Sequence, residues 1–178
     1  CRQRFFLILH LFLNNSILSQ QIQFDNFKTS RGLPSNNVNT LVVDENGQLW
    51  VGTEKGLVLF NGSRFFKIPG TERLSSESIF SVKVISSKNV WIGLQNGRIY
   101  RYNGMELEPY ISQSIGKYAN LFLDSKQRLW IATEGDGAFL ISNPDELSNK
   151  KIKISHFSDD QDMPDVVYEV REDLNGKL

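Results

Sequence analysis

Two carboxylates, Glu134 and Asp136, stand two residues apart and are the nearest approach in this sequence to a catalytic acid–base pair. Cleavage of a glycosidic bond, by hydrolysis or elimination, would need such groups on either side of the bond at a defined separation, which two positions in one turn do not supply. His10 and His156 are the two histidines, and their spacing builds neither a metal cluster nor a Ser-His-Asp arrangement. His156 reads as a satisfied surface histidine standing alone on an outer strand. The acidic stretch SDDQDMPD, Ser158 to Asp165, offers carboxylates to a cation but lacks the alternating ligands and central glycine of an EF-hand loop. It reads as a solvated connection. Cys1 is the single cysteine, so no internal disulfide and no cysteine-based metal site is expected, and no cofactor is called for.

A second group is chemically milder. Asn36, Asn37, Lys55, Gln95, Asn96, Tyr118, Glu134 and Asp136 carry amide, ammonium, carboxylate and aromatic groups of the kind that bind hydroxyl-rich small molecules. Each is also an ordinary turn residue, so their meaning depends on whether the fold gathers them. The elements that would do so are set by a repeat.

Trp50, Trp91 and Trp130 recur at intervals of 41 and 39 residues within the segments VNTLVVDENGQLWVGT, IFSVKVISSKNVWIGL and YANLFLDSKQRLWIAT. A period near forty marks stacked units that bury their faces against copies of themselves. Asp44 and Asp124 lie six before their Trp, where the second unit has Ile85. VYEVREDLNGKL begins a fourth copy, with Val167, Val170 and Asp173 at the matching offsets. Within a unit, short β-rich runs alternate with turns such as Asp44-Glu45-Asn46-Gly47, Glu54-Lys55-Gly56 and Asn61-Gly62-Ser63. Four short antiparallel strands result. Apolar residues occur at both parities of the inner strands, so both faces of each sheet should be covered.

The expected fold is therefore an all-β propeller of four-stranded blades, with blades around 35–70, 76–112 and 115–158 and the start of another at 165–178. Three blades and part of a fourth do not close a ring, so a fragment with exposed sheet faces and edges, prone to aggregation, is expected. Phe24 to Thr29 reads as an outer strand, with Phe27 in the place later taken by Phe66 and Phe157. The Trp residues read as packing, each followed two positions on by a small residue, Gly52, Gly93 or Ala132, that lets the neighbouring blade approach. The aspartates read as turn formers accepting backbone N–H groups two residues ahead. Because second-to-third-strand turns and interblade connections emerge on one face of such a ring, that face should gather the eight candidate residues.

GLPSNNV at Gly32 to Val38, followed by DENGQLWVGT and GLVLF, resembles the two-component regulator propeller repeat. The likeness is looser in the second unit, where Ile85 and Leu94 replace Asp and Thr, and in the third, where Ala132 replaces Gly. It differs from WD repeats, since each Trp is followed by Val or Ile. The resemblance implies the periplasmic sensor region of a hybrid histidine kinase that signals by phosphorelay, with a small-molecule ligand such as an oligosaccharide. Its partners would be the rest of its own propeller and a downstream membrane-spanning kinase, with a homodimer as one arrangement of the full-length protein. No catalytic activity is expected of this segment itself. A secreted propeller enzyme, a lyase or glycoside hydrolase, and a protein-binding scaffold propeller are the other readings.

Residues 1–19 fit the same placement. Arg2 and Arg4 precede the apolar stretch Phe5 to Leu13, and small and polar residues lead to a cut after Ser19. This is a signal peptide, or an N-terminal anchor if uncleaved, although the core is shorter than the roughly twenty apolar residues of a spanning helix. The chain would then be exported, as the periplasmic portion of an inner-membrane protein. Its 20 basic and 20 acidic residues cancel, so no broad field favours nucleic acid.

Overall fold

The computed structural model describes residues 25–145, 154–158 and 164–178. The segment read as a signal peptide and most of the acidic stretch lie outside these residues. Among these residues, twelve strands form three antiparallel sheets in simple meander order. The first blade is β1 (Val38–Val43), β2 (Leu49–Thr53), β3 (Gly56–Phe60) and β4 (Phe65–Lys67). The second is β5 (Ile79–Ser86), β6 (Asn89–Leu94), β7 (Ile99–Tyr102) and β8 (Leu107–Ile111). The third is β9 (Lys117–Leu123), β10 (Leu129–Glu134), β11 (Ala138–Ile141) and β12 (Ile154–Phe157). Successive blades stack through their first two strands, and the three sheets form an open array.

The middle blade shows what stacking does to burial. Every residue of β6 is buried, on both faces, because a blade covers each side. Trp50 shares one apolar cluster with Ile79, Val82, Ile92 and Leu94 of the second blade, and Trp91 shares another with Ala119, Leu121, Leu129 and Ile131 of the third. The glycines two positions after Trp50 and Trp91 sit where the next blade approaches closely. A Cβ on Gly93 would lie 2.2 Å from the Ala119 carbonyl oxygen, and one on Gly52 would lie 2.7 Å from Ile79 Cγ2. Polar bonds join the same seams. Asn39 Nδ2 donates to Ile79 O at 2.8 Å, and Ser81 Oγ donates to Ala119 O at 2.7 Å while accepting the Leu121 N–H at 3.1 Å.

Asp44 organises the first hairpin. Its Oδ1 accepts the N–H groups of Asn46 and Gln48, both at 2.9 Å, and its Oδ2 accepts the Trp50 indole N–H at 3.1 Å. Asp124 does the same for Lys126, Arg128 and Trp130, and Asp173 accepts the N–H groups of Asn175 and Lys177 in the fourth copy. The aspartates are turn formers, as expected. Their second oxygen, which holds the tryptophan, was not legible from turn chemistry alone.

The second blade solves the problem differently. Without a carboxylate at Ile85, its first two strands close tightly, with Ser86 paired to Asn89. Trp91 Nε1, Arg101 Nη2 and Tyr110 Oη have no acceptor or donor among the described residues. Arg101, only 4% exposed, lies opposite Trp91 in the ladder and places its guanidinium 5.9 Å from the indole centre. It donates from Nε to Asn89 Oδ1, and Asn89 Nδ2 donates across the seam to Pro144 O and Asp145 Oδ1 of the third blade. Burial pushes the Tyr110 phenol well above its ordinary range, which the Arg101 charge only partly opposes.

One local expectation is corrected. Residues 25–28 form no strand, and Thr29–Arg31 is a single 3-10 turn. Phe27 packs edge-on against Phe60 at 4.8 Å and Phe65 at 5.9 Å, and Leu33 follows it onto Val51 and Val58. Aromatic burial, not ladder pairing, fixes this segment. Residues 164–178 contain no named strand either; Val166 bridges Glu134, and the Val167 N–H donates to Thr133 O at 2.9 Å.

Candidate functional site

The first strand of each blade carries a bulge at the same place. Pairing jumps between Val38 and Thr40, between Ile79 and Ser81, and, in the third blade, across Tyr118 and Ala119. A bulge admits one extra residue and turns a side chain away from the ladder. In the third blade the turned residue is Tyr118, whose backbone sits at a left-handed φ of 54°. A non-glycine residue there carries a strain of roughly 1–2 kcal/mol. The conformation is held by the Tyr118 N–H donated to Gln95 O at 2.9 Å, and the ring meets Phe80 edge-on at 5.3 Å.

Tyr118 forms one wall of a cleft of about 340 Å³ between the second and third blades, shared with Glu77, Ser78, Gln95, Asn96 and Lys117. The Gln95 N–H donates to Ser78 O at 3.0 Å, which ties the β6–β7 turn to the interblade connection. Glu77 is engaged: Asn96 Nδ2 donates to its Oε2 at 3.2 Å, and Arg98 approaches its Oε1 at 3.7 Å. Among the described residues, the Gln95 side-chain amide, the Lys117 ammonium and the Tyr118 hydroxyl have no hydrogen-bond partner. The cleft thus offers an amide, a cation, a hydroxyl and an exposed aromatic ring.

Three of the eight candidates, Gln95, Asn96 and Tyr118, meet in this cleft. The others are placed apart. Asn36 Oδ1 accepts the Thr29 N–H at 3.0 Å, and Asn37 Nδ2 donates to Glu54 Oε2 at 2.7 Å, so both serve the first blade. Lys55 lines a different cavity on the flank of that blade. Glu134 ends β10 opposite Lys117 in the ladder. Asp136 turns toward β12, where His156 Nε2 lies 2.9 Å from its carbonyl oxygen and 3.4 Å from Oδ1. His156 is therefore not alone: it also stacks flat on Phe139 at 4.3 Å. Glu77, Ser78 and Lys117 were missed in the sequence because only the interblade bonding brings them to Gln95. Among the described residues no group of three or more His, Cys, Asp or Glu could hold a metal ion.

Residues 32–55 match the family model described as two component regulator propeller. No curated protein matches the chain. Among solved structures, it is similar to the extracellular domain of BT4673 of B. thetaiotaomicron, assigned as a one component system, with 21% identity and a TM-score of 0.66 over 84% of this chain. The extracellular domain of BT3049 of the same organism, assigned as a hybrid two component system, aligns at 19% identity and a TM-score of 0.36 over 70% of this chain. The chain spans 21% and 23% of those two chains. Among the described residues no helix is long and apolar enough to cross a membrane. The chain thus carries a repeat, at residues 32–55, that matches the two component regulator propeller model, together with three stacked four-stranded blades.

Proposed function

We propose that this chain is part of the extracytoplasmic ligand-sensing propeller of a two-component sensor histidine kinase, and that its ligand is a hydroxyl-rich small molecule such as an oligosaccharide. In this reading the complete protein lies in the inner membrane, with these blades in the periplasm and phosphorelay as its output. The observation that carries the ligand reading is Tyr118. A strained backbone presents a half-exposed aromatic ring beside unpartnered amide and ammonium groups. A sugar ring stacks on such a surface through its C–H face while its hydroxyls bond to Gln95 and Lys117. Signalling further requires that ligand favour one arrangement of the sensor over another, because only differential affinity shifts an equilibrium.

The test is calorimetric titration of the protein with a panel of neutral and acidic oligosaccharides. Binding by at least one class, weakened about tenfold or more by Tyr118→Ala, corresponds to loss of a contact of roughly 1.4 kcal/mol and would support the reading. Binding unaffected by Tyr118→Ala and Gln95→Ala would remove the cleft from it.

A further inference from the structure

A cavity of about 620 Å³ lies away from the interblade cleft, on the flank of the first blade. Its volume is in the range that holds a small ligand. Leu57, Val58 and Ile68, each at most 6% exposed, form an aliphatic floor, and Phe65 is fixed beside them by Phe27 and Phe60. In the wall, Thr71 Oγ1 donates to Ile68 O at 2.7 Å and Glu72 Oε1 accepts the Gly70 N–H at 3.1 Å, and the Ser75 hydroxyl lies at the exposed edge. Two ammonium groups are also present. Lys55 and Lys67 both line the cavity, and neither forms an ion pair among the described residues.

We propose that this cavity is a second binding site, independent of the interblade cleft, for a monocarboxylate with an apolar tail. An aliphatic floor suits an alkyl chain and offers little to a polyol. The two lysines, opposed only by Glu72, supply the complement to a single negative charge at the mouth. Burial of the tail gives the affinity, and the ammonium groups give the polarity of binding.

The probes are octanoate and octylammonium, of the same tail length and opposite charge, titrated below their micellar concentrations with the shifts of backbone amide resonances as readout. Octanoate should shift residues around Leu57, Ile68 and Thr71, and octylammonium should not. Lys55→Ala combined with Lys67→Ala should weaken octanoate about five- to tenfold, as expected for two exposed charge contacts, with the melting curve unchanged. Ser75→Trp, at the exposed edge of the cavity, should block it by size. Absence of octanoate shifts at these residues, equal binding of the two probes, or full affinity in the double lysine variant would each overturn the proposal. An oligosaccharide result at Tyr118 bears on neither outcome.

Discussion

Trp130 donates its indole N–H to Asp124 Oδ2 at 3.0 Å, and the same carboxylate closes the hairpin that carries the tryptophan. One buried side chain thus couples a turn to the interior of the blade, as Asp44 does for Trp50. Arg128 adds a guanidinium 2.6 Å from Asp124 Oδ2. Burial by itself would raise the Asp124 carboxyl, but the Arg128 N–H, the Arg128 side chain and the Trp130 N–H outweigh it and hold the group below its ordinary value of 3.8.

A depressed folded value means that ionised Asp124 stabilises the fold fully above the unfolded carboxylate range and that this contribution is lost as pH falls through the lower folded value. Asp124→Asn should cost about 2 kcal/mol at pH 6, because a charge-assisted network is reduced to neutral bonds. Urea melts at pH 6 and pH 3 should show the gap between wild type and variant narrowing in acid. A gap independent of pH would mean that the charge of Asp124 contributes nothing.

Gln127 occupies the left-handed position, φ 58°, that Gly47 and Gly176 fill in the equivalent turns. Its N–H donates to Asp124 O at 3.0 Å, so the conformation is fixed by the turn. Gln127→Gly should stabilise by about 1 kcal/mol by removing the Cβ clash. A lower melting midpoint would show that unfolded-state entropy outweighs the relief.

Gly93 and Gly52 should rank in a definite order when changed to alanine. At Gly93 the new Cβ meets a backbone oxygen of the third blade, whereas at Gly52 it meets methyl groups of Thr40 and Ile79 that can rotate or shift. Gly93→Ala should cost about 3 kcal/mol or more and Gly52→Ala less. Paired denaturant melts check the order, which reversal would contradict.

Leu41 and Val43 of β1 are 58% and 63% exposed, on the same face of the strand. An exposed apolar strand favours self-association. Sedimentation velocity should show concentration-dependent oligomers in the wild type, reduced by Leu41→Lys with Val43→Lys. Monodisperse wild-type protein at high concentration would contradict this.

The blades were legible because the period-forty recurrence of Trp and its small partner is a packing requirement written into every copy. The turn role of Asp44 was legible from its offset to Asn46. The cleft was only half legible: Gln95, Asn96 and Tyr118 follow from loop geometry, but the bulge that turns Tyr118 outward leaves no trace in residue type. Ile85 warned that the second unit differs, yet the answering change, Arg101 where Leu59 and Leu140 stand beside the other tryptophans, emerges only from the strand register.

Tyr118 offers a way to separate stability from ligand binding. Tyr118→Gly removes a left-handed tyrosine, a gain of roughly 1–2 kcal/mol, and loses the edge contact with Phe80, a loss of about 0.5–1.5 kcal/mol. The two nearly cancel, so the melting midpoint should stay close to that of the wild type. Oligosaccharide binding should weaken about tenfold or more, as for Tyr118→Ala, while Tyr118→Phe, which keeps the ring, should retain most of it. If Tyr118→Gly instead unfolds the protein, the tyrosine is a structural residue of the seam between the second and third blades, and the strain at φ 54° serves packing rather than presentation of the ring.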